Sequence, residues 1–311
     1  MNVLLPDFRG QEKNTLYFIG NGFDLFHNLK TRYSDFRDWL IKYRYDDFVD
    51  AMEKMFPALQ NGDYLLWKDF EQALTNADLL NVHNDFFQGE DDGEFDVDVQ
   101  NRVVERIKRY LDKIPYLLRQ WMMSITINNV PQLLDLSTQS YYLSFNYTLL
   151  LEYIYCIPTE HILHIHNSIQ VKEPLITGHA SGYDKYGVSI NNINIEKSTQ
   201  YIAIELNKLR KPVDNIINRN RTFFDSLGTI NYIVVFGHSL SFIDRLYFTE
   251  VFYHVKDGAK WYFVVIDEEA KKNVEIIVNG YNESLNKQIG GYQYRNKMKI
   301  ENCSYIQVEN K

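Results

Sequence analysis

Two nearly unbroken apolar runs, Ile230–Phe236 (INYIVVF) and Trp261–Ile266 (WYFVVI), constrain this chain more than any other feature. A strand with one wet face alternates apolar and polar residues. Runs without alternation belong to strands covered on both faces, as in a parallel sheet between helix layers. Shorter apolar segments stand at Thr15–Ile19, Tyr141–Phe145, His161–Ile165 and Ser304–Val308. Helical stretches at about 197–225, 241–255 and 268–286 separate several of these. Strands alternating with helices give an α/β fold, here with a mostly parallel sheet flanked by helices.

Between the first two strands lies a long helical block. Phe36, Trp39, Leu40 and Tyr43 recur at offsets of three and four, as do Val103, Ile107, Tyr110, Leu111 and Ile114, so each set lies on one helical stripe. The expected division is an α/β domain made of 1–30 and 129–311, with 31–128 as a helical insertion or cap after the first strand. The aromatic content of 15%, with 23 Tyr and 19 Phe, is assigned to thick packing among such helices. The acidic stretch Gly89–Glu94 lacks the ligand spacing of a calcium loop and reads as a solvated loop. Gly182–Lys197 reads as a long polar loop.

Charge and cysteine usage exclude several classes. With 33 Lys+Arg against 41 Asp+Glu the net charge is −8, which opposes duplex nucleic-acid binding by bulk counterion release. No apolar run reaches the roughly 18 residues of a membrane span, and the first residues do not read as a signal peptide. Cys156 and Cys303 stand far apart, so neither a disulfide framework nor a thiolate zinc site is expected. A reducing cytoplasm is the expected location.

Ligands of open parallel sheets bind beyond the carboxyl ends of the strands. The first strand ends in Gly20-Asn21-Gly22, with Asp24 close behind, a turn able to bring backbone N–H groups to an anion. The second ends in Ser144-Phe145-Asn146-Tyr147-Thr148. In the third, period two puts Ile162, His164 and His166 on one face, and Gly178-His179 could line the same mouth. The fourth ends in Gly237-His238-Ser239, leading to Asp244 and Tyr247, and fits phosphate or hydroxyl binding. The fifth ends at Asp267, where a carboxylate often accepts from ribose hydroxyls.

The segment Gly20–Phe36 (GNGFDLFHNLKTRYSDF) closely resembles the opening signature of the AbiH family, bacterial abortive-infection proteins that act against phage. Trp67-Lys68-Asp69-Phe70-Glu71, Ser144–Thr148 (SFNYT), His164–Ser168 (HIHNS), Gly178-His179 and Gly237–Asp244 (GHSLSFID) follow in order. AbiH proteins are in turn remotely similar to sirtuin-type NAD-binding proteins, which implies a sirtuin-like, Rossmann-type sheet and NAD as substrate or ligand. On that resemblance Asn146 and His166 are catalytic and nearest the nicotinamide ribose. Gly20, Asn21, Gly22, Asp24, Tyr147, His179, Gly237, His238, Ser239, Asp244 and Asp267 would bind the rest of the nucleotide. The phosphates fall to Ser239 and the first turn, and the adenosine ribose to Asp267. Asn21 replaces a small Ala of the sirtuin turn, and Asn167 replaces the Gly after the catalytic His. The four-cysteine zinc module of deacetylating sirtuins is absent, which leaves NAD hydrolysis as the better match.

The implied partners are a nucleotide, a phage-derived trigger and a second copy of the chain, with no membrane. No metal is expected on this reading. Two other readings stand beside it. His164 and His166 could ligate a metal, with His179, His238, Asp24 or Asp244 completing the set of a hydrolase or nuclease. Alternatively the pocket binds a nucleotide as a sensor, without catalysis.

Overall fold

A computed structural model describes residues 3–60, 67, 69–87, 97–179, 193–285 and 303–308. The stretch Gly89–Glu94 lies outside the described residues, as does 182–192. Residues 193–197, read above as the end of a loop, instead open the helix Ile193–Asn207.

The chain divides into two compact units. The first is the α/β unit, Met1–Lys30, Ile125–Lys172 and Pro212–Lys311. Among the described residues its six strands are β1 (Thr15–Ile19), β2 (Tyr141–Ser144), β3 (Ile162–His164), β4 (Tyr232–Phe236), β5 (Lys260–Val265) and β6 (Cys303–Gln307). All neighbouring pairs are parallel, in the order β3-β2-β1-β4-β5-β6. This is the strand order of doubly wound dinucleotide-binding sheets, whose order reverses between β1 and β4.

Alternating side chains leave opposite faces of the sheet, and both faces are buried. Tyr17, Ile19, Tyr142, Val234 and Phe236 enter one core cluster, with the Tyr17 and Tyr142 rings stacked at 5.0 Å. On the other face Phe18 stacks at 4.3 Å on Phe248 of the helix Arg245–His254. Burial on both sides explains why the strands carry continuous apolar runs.

At the reversal point β1 and β4 are joined beyond their last residues by backbone alone. Gly20 N–H donates to Phe236 O (2.9 Å) and Gly22 N–H to Gly237 O (2.8 Å). A Cβ on Gly20 would sit 2.5 Å from His238 Cα, and one on Gly22 would sit 2.5 Å from Gly237 Cα. Gly237 adopts φ +67°, and a Cβ there would lie 2.3 Å from Phe23 N. The three glycines therefore let two chain turns touch backbone to backbone, a contact no side chain admits.

The helical unit comprises Thr31–Ser124 and Glu173–Lys211. The expected single insertion at 31–128 thus omits a second excursion of the chain, which carries Gly178, His179 and the helix Ile193–Asn207. Along the helix Val97–Ser124 the buried residues Val103, Ile107, Leu111, Ile114, Leu118 and Trp121 recur every three or four positions. Phe36 meets Trp121 at 5.0 Å and Trp67 stacks on Phe70 at 5.1 Å among these helices, while Tyr17–Tyr142 and Trp261–Phe263 stack on the sheet, so aromatic packing is divided between the two units. Glu53 Oε1 accepts from both Arg37 Nε and Trp67 Nε1, and the buried Lys211 ammonium meets Glu71 at 2.9 Å.

Gly237→Ala is expected to lower stability by about 2 kcal/mol or more, from the left-handed φ and the backbone clash together. Gly228→Ala, where a Cβ meets nothing within 4 Å, is expected to stay within about 0.5 kcal/mol. Denaturant midpoints of the two variants against wild type check the contrast.

Candidate functional site

The register of the sheet aligns the ends of four strands. Ile19 pairs with Ser144 and Phe236, and Ser144 pairs with His164. Asn21, Asn146, His166 and His238 each stand two residues beyond these matched positions, so all four emerge at one edge of the sheet. Every group in the site described below belongs to the α/β unit.

Two polar clusters form along this edge. In the first, the buried carboxylate of Asp24 accepts from Asn146 Nδ2 (2.9 Å) and lies within reach of Thr148 Oγ1 through both oxygens (3.0 and 2.9 Å). Burial pushes the Asp24 carboxyl up from its ordinary 3.8 to about 7, against the lowering effect of the Thr148 and Asn146 bonds and of His164. Asn146 also offers its carbonyl oxygen to His164 Nδ1 (2.9 Å), while His164 Nε2 meets Glu152 Oε1 at 2.8 Å. Both ring nitrogens of His164 thus face oxygen acceptors.

The second cluster centres on Asp244, in the turn before the helix Arg245–His254. Its Oδ1 lies 3.6 Å from His166 Nε2 and its Oδ2 lies 3.6 Å from His238 Nε2. All three side chains are under 10% exposed. These separations suit ion pairing but exceed a hydrogen bond. The Phe145 ring stands edge-on to both imidazoles, with centroids at 5.4 Å from His166 and 4.2 Å from His238, and Tyr247 lies 5.7 Å from His166.

The structure alters several of the expected roles. β3 stops at His164, and His166 lies in the turn beyond it, so the two imidazoles do not share a face. His164 points to Glu152 and Asn146 O, His166 to Asp244. Both His164 nitrogens are already engaged within the protein, Nδ1 at Asn146 O and Nε2 at Glu152 Oε1. Among the described residues no group of three His, Cys, Asp or Glu side chains is placed to hold a metal ion. The first turn is not an anion cradle: the N–H groups of Gly20, Gly22 and Phe23 bond Phe236 O, Gly237 O and Gly20 O. Gly237 serves that same backbone contact. His179 belongs to the helical unit, where it is fully buried, pairs with Leu209 and Lys211 through its backbone and places Nε2 3.1 Å from Leu206 O.

The remaining expected residues fall as follows. Asp267 follows β5, where its carboxylate accepts from Ala270 N–H (2.7 Å) and caps the helix Glu268–Leu285. Ser239 is exposed on the turn after β4, and Asn21 is exposed after β1. Tyr147 is buried, and its carbonyl accepts from Ile169 N–H. Asn167 has φ +63°, a left-handed conformation in which Asn is enriched among residues that carry a side chain.

Sequence reasoning passed over Glu152, the partner of His164, and gave Thr148 no role. Thr148 closes the SFNYT segment and Glu152 stands four residues on; their contacts with Asp24 and His164 mark them out. His27 was likewise unassigned. It braces the first turn, with Nδ1 donating to Phe23 O (2.7 Å) and Nε2 meeting Tyr155 Oη (2.5 Å). Burial lowers its proton affinity, consistent with a neutral ring.

The strand order and the histidine–aspartate edge define a doubly wound parallel α/β protein with a buried polar site at its strand ends. The model of the family described as bacteriophage abortive infection AbiH matches residues 16–265, a span that holds the motifs from Gly20 to Asp244. The chain belongs to the AbiH family. No curated protein and no solved structure matches it. Among the described residues no helix is long and apolar enough to cross a membrane.

Asp24 gives the fold a pH dependence whose sign is fixed. Because its folded carboxyl holds a proton more tightly than the unfolded one, stability falls as pH rises from about 4 to about 7. The span from 3.8 to about 7 corresponds to at most about 4 kcal/mol. Asp24→Asn is expected to flatten this fall, read by chemical denaturation at pH 5 and pH 8.

Proposed function

We propose that this AbiH protein acts in abortive infection by hydrolysing the N-glycosidic bond of NAD, releasing nicotinamide and ADP-ribose. The observation that carries the reading is the alignment of Asn146 and His166 two residues past register-matched ends of adjacent strands. They stand at the carboxyl edge of a sheet whose strand order is that of dinucleotide-binding folds. The AbiH family supplies the biological setting, and the remote similarity of AbiH proteins to sirtuin-type proteins supplies the substrate.

In the proposed reaction the bond between the ribose anomeric carbon and the pyridinium nitrogen breaks, and nicotinamide leaves with the bonding pair. Water attacks the oxocarbenium-like carbon and gives its proton to His166, whose ring Asp244 orients and whose charge Asp244 balances. Asp24 and Thr148 fix the amide of Asn146, so its orientation toward ribose hydroxyls or the attacking water is set before substrate arrives. The walls of Phe145 and Tyr247 limit water around the imidazole. Ser239 stays in the proposal as a hydroxyl donor to phosphate and Asp267 as a ribose acceptor. The glycine N–H groups do not.

The deciding assay is incubation of purified protein with NAD and chromatographic detection of nicotinamide. Asn146→Ala and His166→Ala are each expected to lower turnover by about 10²–10⁴ with unchanged circular dichroism. Turnover within about tenfold of wild type in both variants would remove the site assignment.

A further inference from the structure

His238 was read from sequence as part of a phosphate-binding turn, yet its ring does different work. Leu240 N–H donates to His238 Nδ1 at 2.9 Å. A backbone N–H can only donate, so Nδ1 must present its lone pair, and the neutral ring carries its hydrogen on Nε2. That nitrogen is the one aimed at Asp244 Oδ2. Two backbone features lock the arrangement: Gly237 at φ +67° turns the chain before the ring, and Leu240 at φ +54° brings its N–H back to it. Phe145, Phe18 and Phe248 hold the ring by edge contacts at 4.2, 6.1 and 5.2 Å.

Asp244 is consequently shared. One oxygen faces the Nε2–H of His238 and the other faces His166, at equal separations of 3.6 Å. Ser241 Oγ also reaches Oδ2, at 3.4 Å. Tyr247 faces His166 from the neighbouring helix. Two imidazoles face one carboxylate, and the Leu240 N–H holds one of them, His238, in its neutral form. A second proton on His238 would have to enter at Nδ1, where the Leu240 N–H already points.

We propose that His238 is a positioning residue: locked as the Nε2–H tautomer, it holds the Asp244 carboxylate back from His166 and so sets the proton affinity of His166. The assignment concerns the same site as the proposed hydrolysis and rests on that reading only for its catalytic meaning. Its geometry can be tested without substrate.

The test is a side-chain ¹⁵N NMR titration of the full chain labelled at histidine, with the two rings assigned from His166→Gln and His238→Gln spectra. In wild type, His238 is expected to show the Nε2–H tautomer and to stay neutral through the pH range in which His166 charges. His238→Phe frees the carboxylate to close on His166, and the His166 midpoint is expected to rise by about half a pH unit or more, about threefold in proton affinity. His238→Gln, whose amide reproduces the donor, is expected to return the midpoint to the wild-type value. An Nδ1–H tautomer, a charge on His238 before His166, or a Phe variant with an unmoved midpoint overturns the assignment. If the Phe variant does not fold, the wild-type tautomer and the order of charging decide alone. Nicotinamide release, measured in parallel, separates the two ideas: absence of turnover in wild type removes NAD hydrolysis and leaves the titration result standing.

Discussion

The contact on which the rest depends is the meeting of two chain turns at the centre of the sheet, Gly20–Gly22 against Gly237. Strand pairing alone would let β1 and β4 diverge once their hydrogen bonds end. Here the pairing continues for two more bonds past the end of β1, from Gly20 N–H to Phe236 O and from Gly22 N–H to Gly237 O, where the three glycines leave room for the close approach. That closure fixes where Asp24 leaves the first turn and where His238 enters the second. Each polar cluster therefore takes its position from a backbone contact and not from a flexible side chain.

Burial then decides the chemistry of the site. Asp24, Asn146, Thr148, His166 and Asp244 are all nearly inaccessible, and removing such groups from water is costly unless partners replace the lost solvation. The structure supplies them unequally. Asp24 has hydrogen bonds to two side chains, but burial still dominates, and its carboxyl holds a proton near neutrality. Asp244 faces two imidazoles at 3.6 Å and accepts from Ser241 Oγ at 3.4 Å.

The sheet was legible in the sequence because its strands are buried on both faces, and that burial writes continuous apolar runs. The clustering of polar residues at strand ends was equally visible, since Asn146, His166 and His238 all follow such runs. The roles of the glycines were not. A Gly-x-Gly turn that receives an anion and one that receives another backbone look alike until the partner strand is known, and Gly237 lies 215 residues after Gly22. His164 and His166 were misplaced together because period two holds only while the strand lasts, and β3 ends at His164. The second helical excursion, Glu173–Lys211, escaped notice because its membership depends on contacts distant in sequence. Lys211 with Glu71 is one such contact.

The position of β1 has a consequence for how the protein is made. This strand occupies residues 15–19 and lies in the middle of the sheet, yet its two neighbours are 141–144 and 232–236. A ribosome delivering the chain from its N-terminus exposes the four apolar residues Leu16–Ile19 long before either neighbour exists. Their edges can be satisfied only after most of the polypeptide has been synthesised. Formation of the nascent sheet is therefore a late event, governed by loop closure over more than a hundred residues, and until then the emerging strand needs shelter from aggregation.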